Sequence, residues 1–460
     1  MIANTSNEQI SSLVARQREF FNSHATLDIE HRLDALRKLR DAIKRYESDL
    51  MDALYKDLRK SREEAFLTEF SIVYGEIKTF LKRLKGWAAP SKKKSPITLF
   101  PSRSVVLTEP LGCALIVAPW NYPVQLLLNP LVGAIAAGCT AILKPSPYTP
   151  HVAELLERLI RETFDESYVA VVQGNREVNA HLFAQRYDII FFTGSPALGR
   201  VVMRAAAENL TPVVLELGGK SPVIVDRTAN IELAARRLAW GKTLNAGQTC
   251  IAPDYLLIHR SLKKPFIEAF KREVERLHGA DISLSPHYVR MINDRAFERV
   301  SSYIDPMKVC YGGGVDPATR FIEPTLLDSP DLDSPVMQEE IFGPVLPIIE
   351  IDSVDQAIDF INKREKPLAL YVFGDKCVAK RVFSLTSSGG GCVNDVIMHV
   401  ANGHIPFGGV GNSGMGRYHG RDSLYAFSHR RSVVLSPEWP DMPFRYAPYR
   451  WFKWIQRLLK

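Results

Sequence analysis

The sequence predicts an α/β protein built on a parallel sheet with helices on both faces. Three observations carry this reading. Short, uninterrupted apolar runs recur at residues 113–118, 141–143, 169–172, 189–192 and 213–215. Helically spaced stretches separate them, near 152–162, 176–184 and 196–209. Strands that are apolar on both faces need a helix to bury each face, so the alternation implies a doubly covered parallel sheet.

Composition bounds the rest. At about 150 residues per domain, the 460 residues make two to three domains. A hydrophobic fraction of 46% and a charged fraction of 24% exclude a disordered or fibrous chain. The net charge of +7 is small for this length and implies no nucleic-acid partner. The six cysteines, Cys113, Cys139, Cys250, Cys310, Cys377 and Cys392, include no C-x-x-C pair. No metal framework is expected, and their sparseness fits reduced thiols in the cytoplasm. The opening residues, MIANTSNEQI, lack the apolar core of a signal peptide, so a cytoplasmic location is expected.

The elements follow in order. Ile29, Leu33, Leu36, Leu39, Ile43, Tyr46 and Leu50 step by three or four and form one helical stripe. A second long helix is expected over 62–87, ended by the proline- and lysine-rich connection 88–96. Residues 110–143 carry no charge, but Pro119, Asn121, Pro123, Gln125, Asn129 and Pro130 interrupt them. They read as strand, loop, helix and strand rather than a membrane span of about 20 residues. A second alternating region covers 221–397, a glycine-rich stretch covers 402–420, and an aromatic, basic tail follows. No internal repeat is visible.

Two glycine motifs fail on context. Gly409-Val410-Gly411-Asn412-Ser413-Gly414 matches G-x-G-x-x-G, but no helical pattern follows it. Gly194 to Gly199 resembles a P-loop, with Arg200 and Val201 where lysine and serine or threonine are required. The same turn does join an apolar strand to Ser195, a good helix cap, and Pro196, a good first helical residue. Such a helix start offers free N–H groups and a positive dipole end to a pyrophosphate. An ordinary strand–helix turn would look the same.

Three further spots carry chemistry. Cys250 follows a glycine-containing turn at a helix end, Glu216 ends a strand beside Gly218 and Gly219, and Asn121 follows a strand end. Each alone is commonly packing or surface. Together they supply a nucleophile, a base and an oxyanion donor.

At this point the chain is identified as similar to the aldehyde dehydrogenase superfamily. The motifs Ala118-Pro119-Trp120-Asn121-Tyr122-Pro123, Lys144-Pro145-Ser146, Phe192-Thr193-Gly194-Ser195, Glu216-Leu217-Gly218-Gly219-Lys220, Gly247-Gln248-Thr249-Cys250 and Glu339-Glu340-Ile341-Phe342-Gly343-Pro344 occur in its order and approximate spacing. The stretches 406–416, 418–420 and 427–429 resemble the class 3 branch, which takes fatty and aromatic aldehydes. The resemblance implies a Rossmann-type cofactor domain (1–83 and 105–217), an α/β catalytic domain (218–400), and a bridging and oligomerisation element with the tail (84–104 and 401–460).

It also implies roles. Cys250 would attack the aldehyde, Asn121 and the Cys250 N–H would hold the oxyanion, and Glu216 would activate water against the thioester. The thiol's ordinary pKa, about 8.5, would need lowering by backbone dipoles or by the cofactor. NAD or NADP would be held by Lys144 and Glu340 at the riboses, Trp120 and Phe342 close by, and the turn of Gly194, Ser195 and Gly199 at the pyrophosphate. The family commonly has glutamate after Lys-Pro-Ser/Ala; here Pro147 removes an acceptor for NAD and a repulsion against NADP, so NADP use is expected. A homodimer is implied.

The tail adds Trp451, Trp454, Ile455, Leu458 and Leu459 on one helical face with Arg450, Lys453, Arg457 and Lys460 around it, a pattern suited to peripheral contact with anionic lipid. Two other functions fit the same scaffold: a coenzyme-A-acylating dehydrogenase, which would not need Glu216, and a non-catalytic binding protein, against which Cys250, Glu216 and Asn121 all stand.

Overall fold

A computed structural model describes residues 4–449 and 451–460. The chain opens with helices α1 (Asn7–Asn22), α2 (Ile29–Leu58), α3 (Arg62–Ala65) and α4 (Ser71–Ala88). The α2 stripe of Leu33, Leu36, Leu39, Ile43 and Leu50 is fully buried, as its spacing requires. The helix expected over 62–87 contains one wider turn, Phe66–Phe70, in which the Ser71 N–H donates to the Phe66 carbonyl five residues back.

Strands β1 (Ser91–Lys93) and β2 (Arg103–Pro110) precede a regular alternation: β3 (Cys113–Val117), α5 (Gln125–Ala137), β4 (Thr140–Lys144), α6 (Pro150–Thr163), β5 (Val169–Val171), α7 (Arg176–Ala184), β6 (Ile189–Thr193), α8 (Pro196–Ala207) and β7 (Val213–Glu216). These strands lie parallel in the order β7-β6-β3-β4-β5. The winding reverses between β3 and β6, and a crevice for a ligand opens outside the carboxyl ends at such a reversal. The uncharged stretch is indeed strand, loop, helix and strand. Every residue of α5 is buried, and among the described residues no helix is long and apolar enough to cross a membrane.

A second alternation follows: β8 (Pro222–Val225), α9 (Ile231–Thr243), β9 (Tyr255–His259), α10 (Lys263–His278), β10 (Val309–Tyr311), β11 (Thr325–Asp328), β12 (Val345–Ile351), α11 (Val354–Asn362), β13 (Ala369–Phe373), α12 (Lys376–Leu385) and β14 (Gly390–Val393). Its sheet runs β10-β11-β12-β9-β8-β13-β14, parallel except at β10. The last elements are β15 (Gly414–Met415), α13 (Arg421–Ala426), β16 (Ser428–Leu435) and α14 (Phe452–Leu459). β15 pairs antiparallel with β7, placing Gly414 opposite Glu216. β16 runs antiparallel along all of β2, and with β1 they make a three-stranded sheet.

This topology sets the site. The residues just after β3, β4, β6 and at the end of β7 lie on the carboxyl edge of the first sheet. The chain crosses through 217–221 into β8, so the amino edge of the second sheet faces the same region. Cys250 precedes β9 there, and Glu340 and Phe342 precede β12.

Candidate active site

The loop bearing Cys250 is held in an unusual backbone form. After α9, residues Asn245, Ala246 and Gly247 have φ of 50°, 51° and 71°. The left-handed form costs a non-glycine residue about 1–2 kcal/mol, so other bonds must hold it. The Asn245 N–H donates to Glu64 Oε1 at 3.0 Å, and Asn245 Nδ2 donates to the carbonyls of Gln248 at 3.0 Å and Asn121 at 3.1 Å. Gln248 Nε2 donates to the carbonyls of Asn245 and Arg290, and its Oε1 accepts from the Ile292 N–H, each at 3.1 Å. A Cβ at position 247 would stand 2.3 Å from the Gly343 carbonyl oxygen, so this turn requires glycine.

Cys250 emerges from this loop partly exposed. Burial pushes its thiol well above the ordinary value, and the Glu340 and Glu216 carboxyls add to the rise. The backbone N–H groups of Cys250 and Ile251 pull the other way. The dipole effect expected from the sequence is therefore present and is outweighed by burial and the two carboxyls.

Asn121 approaches from the loop after β3. Its side chain is buried, and Nδ2 donates to the Gln248 carbonyl at 3.0 Å. An amide nitrogen carries two hydrogens, so a second N–H remains for an oxyanion. Tyr122 ties the same loops together, its hydroxyl lying 2.6 Å from Thr249 Oγ1. Asn121 and Cys250 are thus joined through one carbonyl and one hydroxyl.

Glu216 ends β7 and is buried, and neither carboxyl oxygen has a hydrogen-bond partner among the described residues. Burial disfavours the charged carboxylate and raises its pKa well above the ordinary carboxylate value. Buried polar groups are almost always satisfied, and an orphan with a perturbed pKa beside a thiol marks a functional position.

The crevice residues fit a dinucleotide. Lys144 is buried, donates among the described residues only to the Pro145 carbonyl at 2.8 Å, and is pulled down to about 8 by burial. Ser195 caps α8, accepting from the Leu198 N–H at 3.4 Å; Pro196 has no N–H and the Gly199 N–H donates to the Ser195 carbonyl at 2.9 Å, so among the described residues the first turn keeps the Ala197 N–H and the positive dipole end for an anion. Gly194 and Gly199 fit closely: added Cβ atoms would stand 2.5 Å from the Phe192 ring and 2.7 Å from Leu217. Glu340 Oε1 is another buried orphan, and burial and Asp254 push its carboxyl up to about 8. Trp120 and Phe342 meet edge to face, their ring centroids 5.4 Å apart. Lys144 and Glu340 are the groups here with hydrogen-bonding capacity left for ribose hydroxyls.

Several residues here were not singled out from the sequence. Gln248 and Asn245 lie inside a recognised motif but without a role. Lys220 pairs with Asp254 and donates to the carbonyls of Val336 and Glu339 at 2.7 Å, while Asp254 Oδ2 accepts from the Ile341 N–H at 2.9 Å. These bonds hold the Glu340 loop. Lys60, Glu64 and Glu69 stand behind the site and gave no signal at all, since charged residues on a helical pattern read as a solvated face.

Comparison with known proteins agrees with this geometry. A family model described as "Aldehyde dehydrogenase family" matches residues 1–433. The chain is 48% identical to the 4,4'-diaponeurosporen-aldehyde dehydrogenase of Staphylococcus aureus (strain NCTC 8325 / PS 47), over 96% of this chain and 97% of that one. It is 45% identical to an "Aldehyde dehydrogenase, dimeric NADP-preferring" of Canis lupus familiaris, over 96% and 98%. A solved structure, the substrate-bound state of Staphylococcus aureus AldH, superposes with a TM-score of 0.96 at 47% identity, covering 98% of this chain and 99% of that one.

Proposed function

The chain belongs to the aldehyde dehydrogenase family, and from that premise we propose how its own residues oxidise an aldehyde to a carboxylate with NAD or NADP. The observation that carries the proposal is the juxtaposition of a thiol, an unpartnered buried carboxyl and an amide donor: Cys250, Glu216 and Asn121.

Cys250 releases its proton to solvent and its thiolate sulfur adds to the aldehyde carbon, the carbonyl π pair moving onto oxygen. The free N–H of Asn121 and the Cys250 N–H receive the developing oxyanion. Bound in the crevice, NAD or NADP would supply the two-electron hydride acceptor that converts the cysteine adduct to a thioester. Glu216, once deprotonated, takes a proton from water, whose oxygen adds to the thioester carbon; the C–S bond breaks, the carboxylic product leaves, and the departing thiolate takes that proton back from Glu216. Lys144 and Glu340 hold the two riboses, the Gly194–Gly199 turn meets the pyrophosphate, and the rings of Trp120 and Phe342 pack beside the cofactor.

The finer parts belong to the same proposal. The aldehyde is medium- or long-chain aliphatic, or aromatic. NADP is accepted alongside NAD because Pro147, exposed beyond Lys144, brings no negative charge to the ribose. The enzyme is a cytoplasmic homodimer. Its tail makes a peripheral lipid contact: Trp451, Phe452, Trp454 and Leu459 are exposed on and beside α14, and residues 442–460 contain no Asp or Glu. Arg450 and the side chains of Ile455 and Leu458 lie outside the described residues. The test is coenzyme-A-independent turnover that disappears in Cys250→Ala.

A further inference from the structure

Three charged residues stand behind the site, and the mechanism above uses none of them. Lys60, in the link after α2, and Glu69, in the wider turn, pair at 2.8 Å, and both side chains are 0% exposed. Their remaining bonds go to one loop. Lys60 Nζ donates to the Asn121 carbonyl at 3.0 Å, and Glu69 Oε2 accepts from the N–H groups of Val124 at 2.9 Å and Gln125 at 3.0 Å. Lys60 Nζ also lies 4.2 Å from the centre of the Tyr122 ring. Glu64, in α3, holds the other loop through the Asn245 N–H.

The wider turn makes this possible. Residues five apart on a regular α-helix point about 140° away from each other. The extra residue taken up between Ala65 and Ser71 brings Glu64 and Glu69 round to one face. Burying charges costs several kcal/mol unless they are paired and hydrogen-bonded, and the buried Lys60 and Glu69 are spent on each other and on the backbone of the Asn121 loop.

We propose that Lys60, Glu64 and Glu69 are positioning residues, a clamp that keeps the Asn121 loop and the Cys250 loop in register for attack on the aldehyde. The proposal rests on the catalytic reading above.

The test uses the full-length enzyme with two kinds of variant. In Lys60→Met with Glu69→Met, both charges leave together, so no unpaired charge stays buried. Glu64→Gln keeps an oxygen to accept from Asn245, and Glu64→Leu does not. The Met pair and Glu64→Leu are expected to stay folded and to keep the KM for the cofactor, while kcat/KM for the aldehyde drops about 100-fold. Glu64→Gln should stay within about threefold of wild type. Alkylation of Cys250 by iodoacetamide should shift in the first two variants, with exposed Cys377 as the internal reference. Unchanged turnover and unchanged alkylation in folded variants would overturn the clamp. So would loss of cofactor affinity and melting temperature in step with activity, which would make these residues ordinary core. If the Met pair does not fold, the Glu64 comparison decides. Wild-type turnover reports on the catalytic reading separately, and alkylation reports on the clamp even without turnover.

Discussion

The side-chain amide of Asn121 donates to the main-chain carbonyl of Gln248 at 3.0 Å, two residues before Cys250. One bond therefore joins the carboxyl edge of the first sheet to the amino edge of the second. Asn245 Nδ2 shares the same carbonyl. Asn121→Ala removes the proposed oxyanion donor and this link together. The expected loss in kcat is about 100- to 1,000-fold, or about 2.7–4 kcal/mol of transition-state stabilisation. Steady-state kinetics would measure it, with cofactor KM retained because Lys144 and Glu340 are untouched.

Burial raises the pKa of Glu216, so its proposed work as a base strengthens as pH rises. The rate of thioester hydrolysis should climb with pH through a value well above the ordinary carboxylate range. Glu216→Gln should remove that rise. Rapid mixing should then show a burst of NAD(P)H, about one per Cys250, followed by little or no turnover. Steady turnover in this variant at the wild-type pH profile would take the base role away from Glu216.

Glu76 gives a stability prediction free of catalysis. It is buried under α13, accepts from the Gly420 N–H at 2.7 Å and the Ser423 hydroxyl at 2.9 Å, and burial pushes its carboxyl from 4.5 up to about 7. A raised carboxyl pKa means the folded chain binds more protons than the unfolded one. Its contribution is full below pH 4.5, the unfolded value, and is lost as pH rises to about 7. The slope reaches about 1.4 kcal/mol per pH unit for one proton. Denaturant titrations across that window should show a shallower fall for Glu76→Gln than for wild type.

The tail is tested by flotation with vesicles of phosphatidylcholine containing phosphatidylserine. Exposed Trp451, Phe452 and Trp454 beside Lys453 and Arg457 should carry the full chain upward with the anionic vesicles. A chain lacking 442–460 should stay below, and added salt should weaken the contact. Equal behaviour of both forms would remove the lipid contact.

Much of this was legible from residue types, and the reason differs by element. The strands of the first sheet showed themselves because burial on both faces leaves continuous apolar runs. Cys250, Glu216 and Asn121 stood out because their motifs sit at strand and helix ends, where chemistry is placed. The clamp was illegible. Lys60, Glu64 and Glu69 are long charged residues in a helical region, and only the wider turn at Phe66–Phe70 and the backbone of a loop more than fifty residues away bury Lys60 and Glu69. The glycine run at 409–414 was rightly set aside as a fingerprint, but its place against β7, with the Leu217 N–H donating to the Ser413 carbonyl at 3.1 Å, depends on long-range pairing. The upward shift of the Cys250 thiol likewise comes first from burial and then from Glu340, ninety residues on.

The most direct measurement is NAD(P)H formation at about 340 nm, an absorbance set by the reduced nicotinamide that carries the chemistry. Hexanal, decanal and benzaldehyde would each be offered with NAD and with NADP, without coenzyme A, to wild type and to Cys250→Ala. Turnover with at least one aldehyde, with NADP used alongside NAD, and none in Cys250→Ala, is the expected result. Equal turnover in Cys250→Ala, or product that forms only when coenzyme A is added, would contradict a hydrolytic dehydrogenase built on Cys250 and Glu216.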